Sequence, residues 1–220
     1  MKIKKSLYII YIILVLLPLA VTAAVIPFLE KTIPTHYGAN FQADGFGSKY
    51  TVFIFPAIVF IMGALMFGIA KLMSLFETNG NRSNERVVMI CGLVVVALFN
   101  AMAYYFLYAA YVPVYDLSEV PISADRFIFF VLGIGLIIMG NIMPKTRKNS
   151  LVGLRTTWSM KNDVTWKRSQ LFGGICLMLT GIAFVIMSVI GVVMYWYIAI
   201  LLIAVVISVL YSYMVAKKYS

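Results

Sequence analysis

The chain has 220 residues, 63% of them hydrophobic and 12% charged, with a formal net charge of +10 and a mean hydropathy of +0.97. A soluble domain carries about 45–50% apolar and about 25% charged residues, so the composition excludes one and defines an integral membrane protein. The positive balance is absorbed by membrane topology, which removes the reason to invoke direct nucleic-acid binding.

A hydrocarbon core about 30 Å thick needs roughly 20 apolar residues per helix. Six stretches qualify, near 6–29, 51–73, 87–111, 125–143, 171–193 and 195–215. The predicted fold is an all-α integral membrane protein with six transmembrane helices and cytoplasmic N- and C-termini. The start, MKIKKSLYIIYIILVLLPLAVTAAV, has the basic head and small residues of a secretory signal. Its apolar run extends over about 7–29, beyond the roughly 7–15 residues of a signal core, so it is read as a retained first span. The last two spans are divided only near Met194, with Tyr195, Trp196 and Tyr197 at the turn.

With the N-terminus inside, Lys2, Lys4, Lys5, Lys71, Arg82, Arg86, Lys145, Arg147, Lys148, Arg155, Lys161, Lys167, Arg168, Lys217 and Lys218 fall on the cytoplasmic side. Only Lys31, Lys49 and Arg126 fall outside, fifteen against three, as the positive-inside rule requires. The spans hold Gly and Pro, including Gly63, Gly133, Gly135 and Gly140, and small residues let helices approach closely. Asn100 is the most polar side chain deep in a span and is read as an interhelical hydrogen-bonding residue. Cys91 and Cys176 each lie within a span and are read as packing residues, with no disulfide framework and no metal site. No ionisable side chain lies near the middle of a span, which argues against coupled transport. No Walker, HExxH, GxSxG or CxxC motif is present, so no enzyme activity, cofactor or metal is expected.

The loop at 74–86 is short and polar, and its NGNRSNER run reads as a turn into the third helix, capped by Ser83 or Asn84. It is given no role beyond topology. The 30–50 loop, EKTIPTHYGANFQADGFGSKY, carries the turn formers Pro34, Gly38, Asn40, Asp44, Gly45 and Gly47, which predict a compact folded loop. Tyr37, Phe41 and Phe46 would cap the membrane surface. His36 and Asp44 are close in sequence, but one His and one carboxylate are too few for a zinc site, so they are read as a hydrogen bond holding the loop.

Pro34, His36, Tyr37, Asp44, Ser48 and Lys49 resemble the outer loop of a small membrane domain of uncharacterised function. Gly38 stands where Asn is usual there, and Phe41 where Gly is usual. The basic segment at 144–170 completes the pattern. Gly140, Asn141, Met143, Pro144, Lys145, Asn149, Gly153, Arg155, Thr156, Trp158 and Trp166, followed by Gly173 and Gly174, resemble the signature of the SdpI family. Thr157 replaces the proline of that signature, and Gln170 and Leu171 replace a His-Arg pair.

The resemblance implies a two-helix domain over 1–75 with an extracellular Pro-x-His loop, then an SdpI-like four-helix domain over 76–220. Family members are bacterial membrane immunity factors, which implies protection of the producer against a secreted peptide or protein toxin, by binding and without catalysis. The residues expected to meet the toxin are Pro34, His36, Tyr37, Asp44 and Lys49. Some members also signal by recruiting a cytoplasmic transcriptional repressor. Lys145, Asn149, Gly153, Arg155, Trp158 and Trp166 are the candidates for docking it, or for contacting anionic lipids. Physically, Arg155 is spaced to lie over Trp158, and Trp158 and Trp166 would anchor the segment at the inner interface. The alternative reading is a small transporter, channel or lipid-handling membrane protein, with the basic segment holding phosphate.

Overall fold

The computed structural model describes residues 5–76, 83–149 and 152–219. Lys2, Lys4 and Arg82 of the charge pattern lie outside the described residues, as does the side chain of Ser83. Six helices follow one another: α1 Lys5–Val25, α2 Ile54–Phe76, α3 Ser83–Tyr111, α4 Ala124–Ile142, α5 Asp163–Ile190 and α6 Met194–Tyr219. Each contributes to a stretch long and apolar enough to cross a membrane. The six-helix architecture is the one predicted, with one addition. The loop after α1 forms an antiparallel pair, β1 Thr32–Tyr37 and β2 Ala43–Ser48.

Two faces follow from the contacts. On one, β1 and β2 bond to the α3–α4 connection, where the Ala43 N–H donates to the Tyr115 carbonyl (2.8 Å) and Leu117 N–H to Phe41 (2.9 Å). On the other, the chain between α4 and α5 folds back as a lid. There the Arg147 N–H donates to Asn84 Oδ1 of α3 (3.1 Å), and Asn162 Nδ2 donates to the last turn of α6 at Tyr219 (3.0 Å).

Lipid tails are as apolar as leucine, so helix association rests on close packing and interhelical hydrogen bonds. The α4–α5 seam shows the first. A Cβ on Gly140 would sit 2.5 Å from the Gly174 carbonyl, and one on Gly174 would sit 2.5 Å from the Gly140 carbonyl. Gly133 and Gly181 repeat the arrangement two turns away, at 2.8 and 2.5 Å. The hydrogen bonds join α1 to its neighbours. Tyr11 Oη donates to the Gly63 carbonyl (2.7 Å), and Asn100 Nδ2 donates to Leu14 (2.9 Å) and Val96 (2.8 Å), the packing role expected for that amide.

One polar cluster was not anticipated. The Glu85 side chain is fully buried at the lid end of α3; its carboxylate accepts from Tyr8 Oη (2.9 Å) and pairs with Lys71 Nζ (3.2 Å). Lys71 also donates to Tyr8 Oη (2.9 Å), so α1, α2 and α3 are tied together at one level. Lys71 and Glu85 are therefore more than topological charges.

The fifth helix starts at Asp163, eight residues before the predicted span. Asn162 caps it: the side chain accepts from the Thr165 N–H, and the Thr165 hydroxyl accepts from the Asn162 N–H. Such a reciprocal box satisfies two helix-end donors at once. The first turns of α5 read as loop because they are polar, yet Thr165, Ser169 and Gln170 are all buried beneath the lid.

Candidate functional site

The hairpin face is built on a tight, distorted turn. The strands lose register on either side of His36. The Gly38 N–H donates to Gln42 (2.8 Å) and the Phe41 N–H to Gly38 (2.9 Å). Phe41 has φ +62°, the left-handed region, which costs a residue with a Cβ roughly 1–2 kcal/mol and glycine almost nothing. That is the position where the resembling loops carry Gly. Here the side chain offsets the strain by packing with Tyr37, Tyr105 and Phe106 against Ala109, Leu117 and Ala124.

The five residues expected to meet a ligand divide. His36 Nδ1 and Asp44 Oδ1 lie 2.5 Å apart, and their side chains are 73% and 55% exposed, so the expected pair exists and faces water. Tyr37 is half-buried. Its hydroxyl donates to the Val114 carbonyl (2.9 Å), and burial raises its pKa above the ordinary phenol value. Pro34 is buried in β1. Lys49 reaches back to the Ile26 carbonyl (3.0 Å), closing the turn that follows α1.

Beneath the hairpin opens a cleft of about 420 Å³ between α2, α3 and α4. Pro34, His36 and Tyr37 line its rim, and Phe55, Phe106, Leu117 and Ile128 its walls. Phe55 and Phe106 stack with centroids 4.9 Å apart. The wall residues were not anticipated, because nothing local in the sequence says that α2 and α4 face each other here. The α3–α4 turn at the cleft's edge is held by Asp116, which accepts from the Ser118 N–H (2.8 Å) and hydroxyl (2.6 Å). Those bonds hold its carboxyl below the usual carboxylate range.

The lid is a different construction. Asn149 accepts from the Val152 N–H (2.7 Å) and donates to the carbonyls of Arg147 (2.7 Å) and Val152 (3.1 Å). Gln170 is fully buried and clamps Leu154 from both sides, accepting from its N–H (2.8 Å) and donating to its carbonyl (2.9 Å). Gly153 makes this approach possible. It has φ +104°, and a Cβ there would collide with Gln170 Oε1. Gln170, which stands where the family signature carries histidine, therefore acts as the clamp of the lid.

The missing proline is also compensated. The Thr156 N–H donates to Ser159 Oγ and the Ser159 N–H to Thr156 Oγ1, each at 2.9 Å, and Ser159 Oγ donates to Leu154 (2.8 Å). Thr156 Oγ1 also lies 2.9 Å from Ser212 Oγ on α6.

Two expectations for the tryptophans are corrected. Trp166 is not an interface anchor. It lies on α5, is 2% exposed, and donates its indole N–H to the Thr146 carbonyl (3.0 Å), because the lid covers the helix start. Trp158 is half-buried but packs edge-on against Tyr213 of α6 (5.2 Å), while Arg155 extends outward into solvent. Of the lid candidates, Asn149, Gly153, Trp158 and Trp166 shape the lid, whereas Lys145 and Arg155 are exposed.

A six-helix bundle with a folded cap on one face and a hydrogen-bonded basic lid on the other defines a multi-pass cell-membrane protein. Residues 145–212, covering the lid and the two helices after it, match the family described as the SdpI/YfhL protein family. Residues 13–60, covering the hairpin, most of α1 and the first turns of α2, match a domain of unknown function, DUF1648. The chain is 27% identical over 218 residues to the Immunity protein SdpI of Bacillus subtilis (strain 168), a match covering 96% of each chain. The chain is thus similar to the SdpI/YfhL family over the lid and the helices after it, and to an immunity protein over nearly its whole length. No solved structure matches it significantly.

Proposed function

We propose that this chain is an immunity protein that protects its host cell against a secreted peptide or protein toxin, and that it does so by binding, without catalysis. The observation that carries the reading is the hairpin cleft: an aromatic-walled space of about 420 Å³ beneath a folded cap, with the exposed His36–Asp44 pair beside it. Apolar walls with few polar groups at the rim suit a membrane-active peptide. The hairpin face is taken to be the outer one, since the basic residues concentrate at the other end. The match to a protein named for immunity along nearly its whole length supports the same reading.

Recruitment of a cytoplasmic repressor would fall to the lid face, where Lys145 and Arg155 are exposed among other cations such as Lys148 and Lys167. A toxin bound in the cleft must then favour one helix arrangement over another by at least the energy separating them. The test is survival of a toxin-sensitive bacterium producing this chain and exposed to toxins encoded beside its gene. Protection is the expected result. Killing identical to that of an empty-vector strain, with the protein present in the membrane, would overturn the reading.

A further inference from the structure

A second cavity, of about 280 Å³, lies at the opposite end of the bundle, directly under the lid and between α3, α4, α5 and α6. Its walls include Cys91, Met139, Cys176, Leu177 and Val205, and Leu154 lies in its roof. The two polar side chains that line it are already satisfied by their own helix or turn. Thr146 Oγ1 donates to the Met143 carbonyl (2.8 Å) and Ser208 Oγ to the Ala204 carbonyl (2.7 Å). A space so lined offers water almost no partners, and apolar cavities of this kind stay dry and take apolar guests.

The roof also prevents collapse, because Gln170 clamps Leu154 and Asn149 holds Val152. The space is open on one side, so an apolar chain from the surrounding leaflet can enter and fill it. Next in sequence to the lining residues Thr146 and Leu154 stand Lys145 and Arg155, both exposed on the lid face. Apolar space inside the bilayer with cations where it meets water has the polarity of one ligand class.

We propose that this cavity holds an acyl chain of an anionic phospholipid from the leaflet on the lid side, with the headgroup phosphate received by Lys145 and Arg155. The site is separate from the hairpin cleft and does not depend on what binds there. Its consequence is a lipid-braced lid: the chain fills the space under Leu154 and the phosphate ties down the cations flanking it.

The test is native mass spectrometry of the full chain, released from vesicles containing equal phosphatidylglycerol and phosphatidylcholine. One phospholipid should survive on each wild-type chain, with phosphatidylglycerol preferred. Each of the two cations is expected to contribute about fivefold to that preference, the equivalent of about 1 kcal/mol per charge at a membrane surface. Ala204→Phe, which fills the cavity, should remove the retained lipid, and the Lys145→Gln/Arg155→Gln pair should remove the preference while a lipid remains bound.

Alkylation of wild-type Cys91 and Cys176 by N-ethylmaleimide provides a check that needs no cavity-filling variant. It should be slow in lipid and at least tenfold faster after delipidation. A wild-type chain that retains no lipid, equal retention by a folded Ala204→Phe variant, a preference unchanged in the double variant, or alkylation indifferent to lipid would each overturn the proposal.

Discussion

The two ends of the bundle are both folded, but by different means. At the lid end, polar side chains do the holding: Gln170, Ser159 and Trp166, all buried, and the half-buried Asn149 each bond to backbone, while Lys145 and Arg155 stand exposed on the surface. At the hairpin end, aromatic packing and backbone pairing hold the structure, while the polar pair His36–Asp44 is left in water. Buried polar groups that lose a partner are costly, whereas exposed pairs contribute little to stability. The difference teaches that Asn149, Gly153, Trp166 and Gln170 serve the architecture of the lid first, and that the hairpin end keeps a polar pair exposed beside an aromatic cleft.

The contrast breaks most severely at the support beneath the lid. Gly140→Leu places side-chain atoms where the Gly174 carbonyl lies, so α4 and α5 must separate. The expected loss exceeds the roughly 1–3 kcal/mol of ordinary overpacking, and folded protein recovered from membranes should fall to near zero. Gln170→Ala is next. It strips the clamp from both polar groups of Leu154, with an expected cost of about 1–3 kcal/mol. The checks are a lower melting temperature in detergent and faster tryptic cleavage at Arg155, with the hairpin unaffected.

Smaller effects sharpen the other side. Phe41→Ala removes aromatic packing but keeps the left-handed strain, whereas Phe41→Gly removes both. The glycine variant should be more stable than the alanine variant by about 1 kcal/mol, read from paired thermal melts. The smallest effect concerns Asp116. Its folded pKa is depressed by the Ser118 bonds, so its contribution is present above the unfolded value and is lost only as pH falls through the folded one. The protection factor of the Ser118 amide should hold steady from neutral pH down into the ordinary carboxylate range and drop only in stronger acid.

Much of this was legible in the sequence because the bilayer imposes it. Six apolar runs gave six helices, and turn formers over 34–47 gave a compact loop. The His36–Asp44 contact was legible from the spacing of two polar residues in a short loop. Long-range partners were not. Tyr8, Lys71 and Glu85 are separated by 63 and 14 residues and meet only because three helix ends align. The α5 boundary was misread because polar residues next to a span signal a loop unless something covers them, and here the lid does. Gln170 was recognised as a departure from the family pattern, but its clamp depends on the left-handed turn at Gly153, which no local motif announced.

The central claim is that recognition belongs to the hairpin and architecture to the lid. The most direct measurement is survival of toxin-exposed cells producing the wild-type chain, a His36→Ala/Asp44→Ala variant or a Lys145→Ala/Arg155→Ala variant, at equal abundance in the membrane. Both variants replace exposed side chains, so stability should stay within about 0.5 kcal/mol of wild type. Loss of protection by the hairpin variant, with protection kept by the lid variant, is the result the account predicts; full protection by the hairpin variant would contradict it.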